Sequence, residues 1–127
     1  MTMIPVKRPL HDEEKALLDF LLSAEFPGHQ ELKAQAEHVE VVGRCKCGCG
    51  TIDLRVEPHS LRANTEKHIP IEAYGEALDV LLFAQNGILG MLEIVYYAEP
   101  PERPYPRPDQ LKLWARPPLP PKDVSSI

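Results

Sequence analysis

The chain has 127 residues, with 14 Lys+Arg against 19 Asp+Glu and a net charge of −5. That length favours one domain, and the negative total argues against a protein built to grip a nucleic-acid backbone. At 43% apolar and 26% charged residues it is too apolar to stay disordered. No run approaches the ~18 apolar residues of a membrane span. The opening Met1-Thr2-Met3-Ile4-Pro5-Val6-Lys7-Arg8 lacks a signal-peptide apolar core, so the expected compartment is the cytoplasm.

Residues 1–10 read as an irregular arm. A helix is expected from His11 to Ala24, because Leu17, Leu18, Leu21 and Leu22 share one helical face. Asp12, Glu13 and Glu14 in its first turn complement the helix dipole. With His11 as N-cap, Glu14 takes the position that reaches back in a capping box. Phe26-Pro27-Gly28 then turns the chain into a second helix from about His29 to His38, giving a helical hairpin.

From Val39 the apolar period changes to two. Ile52, Leu54 and Val56 alternate with Thr51, Asp53, Arg55 and Glu57, a half-buried antiparallel strand. Residues 39–57 therefore read as a hairpin with Cys45, Cys47 and Cys49 at or near its tip. Residues 58–70 form a polar connection, and Pro70 between Ile69 and Ile71 suits an edge strand. Two apolar runs, 78–85 and 88–98, flank Asn86-Gly87, the strongest short hairpin signal, and Gly90 suggests a bulge.

Nine of the 14 prolines lie from Pro100 to Pro121. Pro101-x-x-Pro104 and Pro117-x-x-Pro120 match polyproline recognition spacing, but a stiff strap across the sheet is the preferred reading. Residues 110–115 read as a last strand on a sheet edge, and 117–127 as loose. The expected fold is a single α+β domain, an N-terminal helical hairpin packed on an antiparallel β-meander.

Cys45-Lys46-Cys47-Gly48-Cys49 is the unusual feature. Thiolates on one zinc lie ~2.3 Å from it, whereas alternate residues of an extended strand are ~6.8 Å apart. Three thiols can share an ion only if the loop folds back, which Gly43, Gly48 and Gly50 permit. A closed site also needs a fourth ligand, for which His38, His59 and His68 are the candidates. The plainer expectation is that the cysteines fill small positions in the hairpin tip and hold no metal or other cofactor. The alternative is a structural zinc site on Cys45, Cys47 and Cys49.

The segments Glu13-Glu14-Lys15-Ala16-Leu17-Leu18-Asp19-Phe20-Leu21-Leu22, Phe26-Pro27-Gly28 and Val42-Gly43-Arg44-Cys45-Lys46-Cys47-Gly48-Cys49 resemble a family of small uncharacterised bacterial proteins. Its Gly-Arg-Cys-x-Cys-Gly-Cys hairpin is followed by a strand like Ile52-Asp53-Leu54, and later by one like Leu92-Glu93-Ile94-Val95-Tyr96. The resemblance spans roughly residues 10–115. It implies a bacterial, cytosolic, single-domain protein and carries no catalytic assignment.

No phosphate loop or nucleophile elbow is present, and His11, His29, His38, His59 and His68 are scattered. No catalytic residue is assigned. Asp53, Arg55 and Glu57 form a charged row which, with an exposed Tyr97, would suit a protein interface. The expected function is accordingly a non-catalytic protein-binding module, immunity-like by class analogy, whose partner is an unidentified protein rather than nucleic acid or membrane.

Overall fold

Alternating apolar and polar residues lay seven segments of the chain down as strands in the computed structural model, which describes residues 3–57, 59–65, 68–102 and 104–115. In chain order the elements are β1 (Met3–Arg8), α1 (Asp12–Leu21), α2 (His29–Ala36), β2 (Glu40–Cys45), β3 (Ile52–Arg55), β4 (Ile71–Tyr74), β5 (Leu78–Gln85), β6 (Ile88–Tyr96) and β7 (Lys112–Ala115). A short 3₁₀ turn at Pro108–Gln110 precedes β7. The strands form one seven-stranded sheet in the order β1-β2-β3-β6-β5-β4-β7, antiparallel throughout.

This overturns the expected α+β hairpin-on-meander. The chain starts with a strand, so no helical hairpin stands at the N-terminus, and two short helices accompany what is mostly sheet. Nor are the strands a simple meander, since β6 rather than β4 lies beside β3. Residues 3–8 are a strand, not an irregular arm. Pro5 is tolerated because β1 is an edge, where a missing N–H costs no ladder bond. β4 is no edge: Pro70 lies before it, and β7 pairs along its outer side. The expected loose tail and its Pro117-x-x-Pro120 motif lie outside the described residues.

The core forms where α1 and α2 cover the sheet. Leu17, Leu18, Leu21 and Leu22 are buried with Leu32 of α2 against Val41, Ile52, Ile71, Val80, Leu82 and Leu92. Truncating Leu21 to alanine is expected to cost about 2–5 kcal/mol, because a fully buried site cannot collapse around the lost atoms. Urea unfolding measures it, and a loss under about 1 kcal/mol would place α1 outside the cooperative core.

At the β5–β6 turn Asn86 and Gly87 have φ of 53° and 77°, the conformation a two-residue hairpin demands. The register slips between Phe83 and Ala84, leaving Gly90 as the extra residue of a bulge. Buried Gln35 clamps this turn to α2. Its amide donates to the carbonyls of Gly87 (2.8 Å) and Leu61 (2.9 Å), while its oxygen accepts from Leu89 N–H at 2.9 Å.

A second clamp gathers three distant segments on Glu14, which is fully buried. Arg8 of β1 donates to both carboxylate oxygens, at 2.7 and 2.8 Å. The His11 N–H donates at 2.7 Å, the reach-back half of the capping box. Tyr105 O–H donates at 2.7 Å from the proline-rich strap. Tyr96 O–H is hydrogen-bonded to the Pro104 carbonyl, so the strap is fixed at both ends of this pair. No helix among the described residues is long and apolar enough to cross a membrane.

Candidate metal centre

The centre is built by the turn between β2 and β3. Cys45 closes β2, and its N–H donates to the Thr51 carbonyl at 2.9 Å. Gly48 N–H donates back to the Cys45 carbonyl at 3.4 Å. Gly48 and Gly50 take φ of 81° and 94°, a region that side chains with a Cβ rarely enter. Two left-handed residues within five reverse the chain sharply, and the loop folds over its own first cysteine.

All three Sγ atoms consequently lie within 4.8 Å of one another. Cys45 Sγ and Cys47 Sγ are 2.8 Å apart and all three cysteines are free thiols. Three thiolates on one tetrahedral zinc stand roughly 3.8 Å apart, so an ion requires this pair to open by about 1 Å. An extended strand cannot bring three alternate thiols to one ion. The fold-back removes that obstacle, and the cluster is able to hold a metal ion.

Exposure grades across the cluster: Cys45 is buried, Cys49 half-buried and Cys47 exposed. Behind it sits Thr51, fully buried, whose hydroxyl oxygen accepts from Ile94 N–H at 3.0 Å. Cys49 Sγ donates to the same oxygen at 3.2 Å. The Thr51 O–H in turn donates to the Ile94 carbonyl at 3.4 Å, so this hydroxyl ties the cysteine loop to β6. Tyr96 is neighbour to Cys49; burial first, and then the negative charge of Cys49, push its phenol upward and keep it protonated.

The histidine candidates are elsewhere. His38 precedes β2, seven residues and roughly 20 Å of extended chain from Cys45. His59 follows β3 at that same far end. The His68 carbonyl accepts from Ala84 N–H beside the Asn86-Gly87 turn, whereas the cysteine loop abuts Ile94 at the opposite end of β6. All three histidines are exposed.

The proposed interface residues also fall in two places. Arg55 pairs with Glu40 of β2 at 2.9 Å, and Asp53 pairs in register with Met91. Tyr97, just past the end of β6, donates to Asp79 at 2.5 Å, six residues and roughly 20 Å along the chain from Met91. Glu57 is exposed beyond β3. Sequence reasoning missed Thr51 and Gln35, since a polar residue in a strand or a short helix looks solvated until its partners are known.

Comparison with protein-family models, with curated proteins and with solved structures finds no match to this chain.

Proposed function

We propose that the Cys45–Cys49 loop is a metal centre that binds one zinc ion through three thiolates and thereby holds the β2–β3 tip in place. The observation that carries this reading is the convergence of three sulfurs within 4.8 Å at a turn made by two left-handed glycines. The donor set favours zinc. Thiolates suit soft and borderline ions, and zinc imposes no geometric preference of its own.

Because an unfolded chain offers no preformed site, binding energy becomes folding energy. Adding EDTA to protein purified without chelator is expected to lower its melting temperature and loosen the β2–β3 tip. Cys47→Ser should abolish that EDTA response by weakening the ion's hold. An identical melting curve with and without EDTA, from protein whose three thiols are intact, would contradict the reading.

A further inference from the structure

Zinc is almost always four-coordinate, and this chain brings three donors to the loop. Among the described residues no histidine or carboxylate joins the three sulfurs. Two features leave the cluster reachable from solvent. Cys47, the most exposed of the three, sits on the solvent side of the cluster. Apart from its neighbours Cys47 and Cys49, a Cβ built on Gly48 would meet nothing within 4 Å, so no other part of the fold packs over that side of the loop.

The charges that flank Cys45 in the chain favour an anion. One Zn²⁺ with three thiolates carries a net −1, and a fourth thiolate makes it −2. Exposed Arg44 and Lys46 flank Cys45 in the chain and supply +2 within about 10 Å of it, inside the Debye length at moderate salt. They offset the added charge of an incoming thiolate and give a neutral imidazole no comparable help.

We infer that the fourth position of this centre accepts a thiolate from outside the chain, so that the ion is an exchangeable thiol-binding site as well as a clasp. This rests on the three-thiolate metal reading above. In the step itself the incoming thiol gives its proton to solvent, a metal–sulfur bond forms and a bound water leaves. Nothing is oxidised or reduced. The donor is a small thiol, because a second copy of this chain would have all three of its cysteines on its own ion.

The test uses the full-length chain loaded with Co²⁺ in place of zinc, whose visible spectrum reports the number and kind of ligands. Titration with glutathione is expected to strengthen the sulfur-to-cobalt absorption saturably at constant cobalt content. Imidazole should bind more weakly. Arg44→Glu with Lys46→Glu should weaken glutathione binding several-fold while leaving cobalt bound.

A thiolate-cobalt spectrum that glutathione does not alter would overturn the open fourth position and leave the metal centre standing. If no thiolate-to-cobalt absorption develops at all, the metal centre itself fails.

Discussion

Replacing Glu14 by alanine is expected to destabilise the fold by about 3–5 kcal/mol, because it strands the Arg8 guanidinium without its partner. The carboxylate is fully buried and receives four donors: two from Arg8, one from the His11 N–H and one from Tyr105. Removing it releases β1, the start of α1 and the strap together. The Arg8 side chain keeps 23% exposure, so water partly rehydrates it and the upper end of the range is the ceiling. Urea unfolding of Glu14→Ala beside Tyr105→Phe separates the charge from the strap. The phenylalanine variant loses one hydrogen bond and should cost about 1–3 kcal/mol.

The same cluster sets a pH dependence. Burial pushes the Glu14 carboxyl upward, but the bonds from Arg8, His11 and Tyr105 outweigh it and hold the group below its ordinary 4.5. The stability it adds is therefore complete above pH 4.5 and is lost as pH falls through the lowered value in the fold. Tyr105 moves the other way: burial, then its bond to Glu14, raise the phenol, so it remains a donor throughout the neutral range. Wild type should lose stability on acidification more steeply than Glu14→Gln, which has no carboxyl to protonate. Parallel acid transitions in the two proteins would contradict this.

Gly87→Val is expected to be of similar severity, about 3–5 kcal/mol. Its φ of 77° is strained for any β-branched residue. A Cβ there would also run into the backbone of Ala63, whose nitrogen lies 2.8 Å from the position it would occupy. The clash pries Ala63 away from the Gly87 carbonyl, an acceptor it shares with Gln35. Asn86→Gly is the control, expected to stay within about 1 kcal/mol because that side chain is exposed and glycine accepts the same φ. Equal thermal stability of Gly87→Val and wild type would remove the turn from the account.

These sites show what the sequence makes legible. Asn86-Gly87 between two apolar runs announces its hairpin because the information is local, and Gly90 marks its bulge for the same reason. The leucine face of α1 is equally plain. β1 was hidden because Pro5 and Pro9 argue against a strand unless the segment is known to be an edge, and its pairing with β2 spans some forty residues of chain. The placement of β6 beside β3 is likewise a non-local choice with no local signature. Glu14 is recognisable as a capping residue, whereas its bond to Tyr105 crosses 91 positions.

The cysteine loop fell between these cases. Its glycines permit the chain to fold back, but whether it does so depends on their φ values, which spacing alone does not show. Gly48 and Gly50 both take the left-handed region, and the sulfurs converge. Distance also removes His38, His59 and His68 as ligands, which a linear reading of the flanks cannot reveal.

The most direct test of the three-thiolate centre is native mass spectrometry of the full-length chain, expressed with zinc and purified without chelator, combined with timed alkylation of its thiols. The account predicts one zinc per chain, with Cys45, Cys47 and Cys49 protected together until EDTA is added, and no zinc once all three are serine. A metal-free chain whose Cys47 and Cys49 react at once, with or without EDTA, would contradict it.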